Sequence, residues 1–361
     1  MENAGSIRDS YIPLVLRLNN ASDKQHYNNL IESGKVAFVF DEIYGQLQEL
    51  IKSKNPSRKI KQDESPCLIN DHLAGTDMQH YGVWVYYPWN LKMVHLLDEE
   101  EFIELRTNRN RNKITKEEQQ ILRTKKIGIV GLSVGQSIAL TIAMERICGE
   151  IRLADFDVAE LSNLNRIRTG LYNIGLNKTI IAAREILEID PFIKVKIFSD
   201  GLHRQNMDEF FTGNGKLDLF IEVCDGIDIK LESRFKARQL KIPVVMDTND
   251  RGMLDVERFD FEPDRKILHG LLDAFTENDS ICVTDENRMQ IVMSILSFDS
   301  LSERMKLSMA EINKTINTWP QLASSVVLGG AITTDLSRRI LLGEHTQSGR
   351  FYIDLDYIFK E

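Results

Sequence analysis

Asp155, Asp157, Asn163, Arg166, Lys178 and Asp225 are the side chains whose types and order could handle a polyphosphate. Asp155 stands 24 residues after Gly131, at the end of a short apolar strand, where a carboxylate accepts hydrogen bonds from ribose hydroxyls. Asn163 and Arg166 follow on a polar turn, and Lys178 opens the next helix in Asn173-Ile-Gly-Leu-Asn-Lys178. A guanidinium fork and a lysine beside a positively polarised helix N-terminus suit a triphosphate better than a nicotinamide ring. Asp225 ends a later strand and could hold Mg²⁺ bridging those phosphates. Such a cluster suits attack by a carboxylate on the α-phosphate of a nucleotide.

The elements that must position these groups read as a strand–helix alternation. Lys126–Val130 is an apolar strand, the turn is Gly131-Leu-Ser133-Val-Gly135-Gln136, and a helix follows over 134–147. Measured against G-x-G-x-x-G, Ser133 and Gln136 replace the second and third glycines, which weakens the case for an ordinary dinucleotide site. Further strands are expected at 151–155, 195–198, 217–223 and 243–246, with helices at 177–189, 205–211 and 228–240 between them. The fold class is therefore α/β, a Rossmann-like doubly wound, mostly parallel sheet with helices on both faces. Ligands of such sheets sit at the carboxyl ends of the strands, where Gly131, Asp155, Asp225 and Asp247 lie. Asp247 and Arg251, on a strand-end loop, are candidate substrate contacts. Further on, helices are expected at 289–296, 302–316 and 325–342, the last containing Leu328-Gly-Gly-Ala331, and a terminal strand at 351–355.

Residues 1–105 form an N-terminal α/β extension, with a helix over 42–53, a Lys/Pro/Ser/Asp-rich loop over 52–66 and a hairpin pairing Tyr81–Trp89 with Lys92–Leu97. Its aromatic residues, Trp84 and Trp89 included, read as the packing of a sheet face.

The chain has 361 residues, 45 Lys and Arg against 54 Asp and Glu, and a net charge of −9. Such a surface is not that of a nucleic-acid binder, so any polyanion must enter a local basic pocket. The four cysteines form no C-x-x-C pair, so neither zinc nor a disulfide framework is expected. No stretch reaches the ~20 apolar residues of a membrane span, and the N-terminus lacks the pattern of a signal peptide. A reduced, cytoplasmic protein that does not bind membranes is expected.

The order D-x-D-x-x-x-x-S-N-L-N-R, then Gly175-x-x-Lys178, then Cys-Asp225-Gly resembles the ThiF/MoeB/E1 superfamily of adenylating enzymes over about 105–255. The resemblance implies an adenylation domain over 106–361 that activates a carboxylate with ATP and Mg²⁺ and releases pyrophosphate. It implies nucleotide contacts at Gly131, Ser133, Gly135, Asp155, Asp157, Asn163, Arg166 and Lys178, and metal binding at Asp225. A homodimer is expected, with Arg109 or Arg111 reaching into the partner's site. The substrate implied is the C-terminus of a peptide or of a small ubiquitin-like or sulfur-carrier protein. The extended N-terminal part also resembles a branch in which such a domain is joined to a nitroreductase-like domain. No such second domain lies within the 361 residues, which leaves a stand-alone member or part of a longer chain. Cys282, in the polar stretch 278–286, is the one thiol on a plausible loop and reads as inert; Cys148 and Cys224 read as core. Two rival readings remain, an NAD(P)-dependent oxidoreductase and a non-catalytic nucleotide-binding scaffold. The first leaves Arg166, Lys178 and Asp225 without a task, and the altered glycine turn motivates the second.

Overall fold

The computed structural model describes residues 4–277 and 280–359. The chain forms two compact units, Met1–Lys116 with Leu187–Phe192, and Glu117–Ile186 with Ile193–Glu361.

The first unit holds strands β1 (Leu14–Leu16), β2 (Phe38–Asp41), β3 (Val83–Tyr87) and β4 (Lys92–Leu96), in the order β1-β3-β4-β2. The expected hairpin is β3 and β4, antiparallel with Val85 opposite Val94. Trp84 is 3% exposed and stacks on His95 at 4.2 Å, so it is packing, as its alternation indicated. The helix Ile43–Lys54 buries Leu47 and Leu50 against Ile69 and Leu73 of the helix Ser65–Leu73. That second helix begins inside the stretch expected to be loop through Pro66, because proline near a helix start loses only an amide that has no partner there.

The second unit is built on a seven-stranded sheet. Its strands are β5 (Lys126–Val130), β6 (Glu150–Ala154), β7 (Lys194–Phe198), β8 (Leu219–Glu222), β9 (Val244–Asp247) and β10 (Met253–Glu257), completed by β13 (Gly349–Tyr352). A two-stranded ladder, β11 (Thr276–Glu277) and β12 (Ser280–Ile281), stands apart. The order β13-β10-β9-β8-β5-β6-β7 is parallel from β9 to β7 and antiparallel at β10 and β13. The chain leaves β5 toward β6 and β7, then returns to β8 and β9 on the other side. Winding both ways places helices on both faces and makes the carboxyl ends of β5 and β8 the switch point where such sheets bind ligands. The terminal strand ends at Tyr352, and Leu355–Ile358 is a short helix, where a strand was expected to run on to 355.

The Leu328-Gly-Gly-Ala331 motif sits within the helix Ala323–Leu341. A Cβ at Gly329 would come 1.9 Å from Asp247 Oδ2, and one at Gly330 would come 2.4 Å from Ser137 Oγ. The pair therefore lets this helix lie directly on the end of β9 and on the helix Gly135–Glu145.

Candidate functional site

The switch point begins at Gly131. Its φ of +89° and a Cβ position 2.6 Å from Val223 O admit only glycine, and this turns the chain sharply off β5 beside the end of β8. Asp155 caps the turn from the end of β6. The Leu132 amide donates to its Oδ2 at 2.6 Å and the Asp157 amide to its Oδ1 at 2.8 Å. Burial pushes the Asp155 carboxyl up, while Lys178 and the two amides pull it back. Asp157 is exposed and accepts from Lys178 Nζ at 2.7 Å; the lysine itself is 7% exposed. Lys178, expected on phosphate, and Asp157, expected at the nucleotide, are thus held as an ion pair at the start of the helix Lys178–Ile189.

Asn163 does not face outward. It is 8% exposed and its Oδ1 accepts from the Glu160 amide at 3.1 Å, capping the turn Leu161–Asn165. That cap aims Arg166, whose Nε donates to Ser133 Oγ at 2.8 Å. Burial lowers the Arg166 pKa, and the nearby Asp225 carboxylate acts the other way. Ser133 in turn donates to Gln321 Oε1 at 3.3 Å, and Asn165 Nδ2 donates to Gln321 O at 2.8 Å. A strap at Trp319-Pro320-Gln321 is thereby latched to the same serine that holds Arg166.

Gln136, the departure from the third glycine, has a structural task that the sequence alone did not disclose. Its amide donates to Arg168 O at 2.9 Å and accepts from Arg168 N at 2.9 Å, and it also donates to Glu185 Oε2 at 2.8 Å. The side chain clips the backbone just beyond Arg166 as a neighbouring strand would.

On the β8 side, Asp225 is exposed and lines a cavity of about 180 Å³ with Ser133, Cys224, Asp247 and Gln321. An exposed carboxylate at a strand end fits Mg²⁺, which takes one or two carboxylates and completes its shell with phosphates and water. Asp247 is 4% exposed; burial raises its carboxyl to about 7, and only the Asn249 amide, at 3.0 Å from Oδ1, counters this. Its Oδ2 has no hydrogen-bond partner.

Beneath this rim lies a buried ionic network. Glu222, fully buried at the end of β8, accepts from Lys230 Nζ at 2.8 Å and from Arg234 Nη2 at 3.2 Å. Although burial opposes its ionisation, Lys230 and Arg234 hold Glu222 below the ordinary carboxylate range. Arg234 also pairs with Glu257, and Arg350 Nε donates to Asp255 Oδ2 at 2.7 Å.

Other expected residues lie elsewhere. Arg251, a candidate substrate contact, donates to Asp354 Oδ2 at 2.7 Å and to Ser300 O, so it anchors the C-terminal segment. Arg109 and Arg111 belong to the first unit, both exposed, with Arg111 3.5 Å from Glu104. Cys148 is buried and Cys224 partly so, with burial pushing the Cys224 thiol up. Cys282 is exposed; Asn278 and Asp279 of its stretch lie outside the described residues.

The ThiF family profile matches residues 107–332. The uncharacterized protein MT1398 of Mycobacterium tuberculosis (strain CDC 1551 / Oshkosh) is 46% identical over 273 residues, which is 75% of this chain and 38% of that protein. This chain thus spans about two fifths of the length of that relative. The molybdopterin-synthase adenylyltransferase of Haemophilus influenzae is 26% identical over 195 residues, 53% of this chain and 77% of that one. The crystal structure of E. coli tRNA N6-threonylcarbamoyladenosine dehydratase, TcdA, in complex with ATP is similar with a TM-score of 0.49 at 16% identity, covering 69% of this chain and 98% of that one. Matched over well more than half its length, at the segment that carries the glycine turn, Arg166, Lys178 and Asp225, the chain belongs to the ThiF family.

Proposed function

We propose that this chain is an ATP-dependent adenylyltransferase that activates the C-terminal carboxylate of a peptide or small carrier protein as an acyl-adenylate and releases pyrophosphate. The observation that carries the reading is the convergence of Ser133, Arg166 and Asp225 at one switch point, with Arg166 close enough to Asp225 to feel its charge. Arg166 bonds Ser133 and Lys178 bonds Asp157; in this reading both cations would turn to the phosphates of a bound nucleotide. Asp225 would hold Mg²⁺, whose contribution is to neutralise charge on the departing pyrophosphate. A carboxylate oxygen of the substrate attacks the α-phosphorus, an oxygen–phosphorus bond forms, and the bond to the bridging oxygen breaks with its electron pair leaving on pyrophosphate. The protein supplies alignment and positive charge rather than a covalent group.

The working species in this reading is a cytoplasmic homodimer. The large apolar side chains Phe156, Leu161, Leu171 and Tyr172 are 73%, 67%, 66% and 90% exposed on the segment that carries Asn163 and Arg166, a concentration that supports burial against a second copy. Arg109 or Arg111 of the partner subunit would then complete the phosphate site.

ATP–pyrophosphate exchange tests the assignment. Asp225→Ala and Lys178→Ala should each lower exchange by about a hundredfold or more while the circular dichroism spectrum stays that of the wild type. Unchanged turnover in both would sink the reading.

A further inference from the structure

The cavity beside Asp225 has a second wall that adenylation itself does not require. Val292 and Ile295 of the helix Asp285–Leu296, together with Leu301, Met305 and Trp319, line it across from the strand ends. Ile295 and Leu301 are 4% and 7% exposed, while Val292, Met305 and Trp319 are half-buried, so the wall is packed behind and open toward the strand ends. At about 180 Å³ the space exceeds what a carboxylate with only hydrogen atoms beside it fills. A space of roughly 150 Å³ accepts a benzene ring, and an apolar side chain laid on this wall would displace water from it.

The polar residues of the same cavity narrow the choice further. Asp225, Asp247 and Asp250 all line it, and its cation, Lys230, is paired with Glu222. An acidic side chain there would meet the carboxylates of Asp225 and Asp250. Asp250 is already engaged by the amide and hydroxyl of Ser302 at 2.9 and 2.6 Å, which fixes the start of the helix Glu303–Glu311 and with it Met305. The apolar wall is therefore set in place by the fold.

We infer that this cavity is a specificity pocket, and that the acid activated beside Asp225 carries a bulky apolar or aromatic side chain next to its carboxyl group. The inference rests on the adenylation reading for which group reacts, but not for what the cavity holds. In peptide terms the favoured terminus is Leu, Met or Phe, with Gly and Asp disfavoured.

Binding and turnover can be read separately on the full chain. Isothermal titration with N-acetyl-glycine, -leucine, -phenylalanine, -aspartate and -lysine, without nucleotide, reads the pocket; pyrophosphate exchange with the same acids reads the chemistry. Acetyl-leucine and acetyl-phenylalanine should bind about tenfold or more tighter than acetyl-glycine, the factor that one or two buried methylenes supply. Met305→Trp, which fills the cavity from a half-buried position, should abolish that advantage, whereas Val292→Ala should shift it toward phenylalanine. Equal affinities, a preference for glycine, aspartate or lysine, no binding by any of the five, or displacement of acetyl-leucine by ATP alone would each overturn the inference. The expected ranking without exchange would leave the pocket standing and overturn the adenylation reading instead.

Discussion

The two flanks of the switch point differ in how fully their polar groups are satisfied. On the β6 flank, Asp155 takes two amides, Asp157 takes Lys178, Asn163 caps its own turn and Gln136 bonds both sides of Arg168. On the β9 flank, Asp247 Oδ2 and the buried hydroxyls of Thr333, Thr334 and Ser337 in the helix Ala323–Leu341 have no hydrogen-bond partner. A buried polar group left unpaired costs about 1–3 kcal/mol, so the second flank is held at a cost to stability that the first does not bear. The polar groups of the first flank are paired within the fold, whereas on the second Asp247, which lines the cavity, keeps one oxygen unpaired.

Changes that disturb each flank should separate them. The largest effect is expected below both, at Arg234→Leu, which would strand Glu257 in the interior and leave Glu222 with Lys230 alone. Loss of one partner of a buried ion pair costs about 3–5 kcal/mol, readable as a fall in the urea midpoint. A substitution costing less than about 1 kcal/mol would mean that the network is hydrated.

Asp247→Asn should act in the opposite direction. The folded carboxyl, raised from 3.8 to about 7, binds its proton more tightly than the unfolded chain does. The stability it contributes is therefore complete below about pH 3.8 and falls as pH rises toward 7. By pH 8 the asparagine variant should be the more stable by up to about 4 kcal/mol, three pH units at 1.36 kcal/mol each. Denaturation at pH 5 and pH 8 checks the sign, since the gap between variant and wild type must widen with pH.

Restoring the family glycine on the other flank should hurt. Gln136→Gly removes the clip on Arg168, with an expected loss of about 2 kcal/mol from unmade hydrogen bonds. Replacing the strap residue, Gln321→Ala, is the mildest change, below about 1 kcal/mol in stability, because its contacts are partly exposed. Its effect should show instead as a faster off-rate for acids held in the cavity.

Much of the β6 flank could be read from the sequence because its partners are close in the chain. Lys126 to Asp155 is one strand–helix–strand unit, and Lys178 opens the next helix 23 residues after Asp155, so periodicity and turn residues located them. The β9 flank was harder to read. Strand β10, Met253-Leu-Asp-Val-Glu257, alternates apolar and acidic residues as a half-exposed strand would, yet all of it is buried. What makes that possible is Arg234 and Arg350, which neutralise Asp255 and Glu257 from distant positions in the chain. Strand β2, Phe38–Asp41, was hidden for the opposite reason, since its apolar residues are exposed and follow no core-facing pattern. Gln136 was legible only as a departure from a motif; the carbonyl and amide of Arg168 that explain it come from tertiary packing.

The Gln136 clip also bears on the thermodynamics of ligand binding. A loop free to sample many backbone conformations must give them up when it closes on phosphate, at about 1–2 kcal/mol for each residue ordered. Here the segment from Asn163 to Arg168 is fastened at both ends, by its own cap and by the glutamine, before any nucleotide is present. Most of that conformational entropy has already been lost in folding, so nucleotide affinity at this flank should respond little to temperature and osmolyte, and fall sharply once the clip is cut.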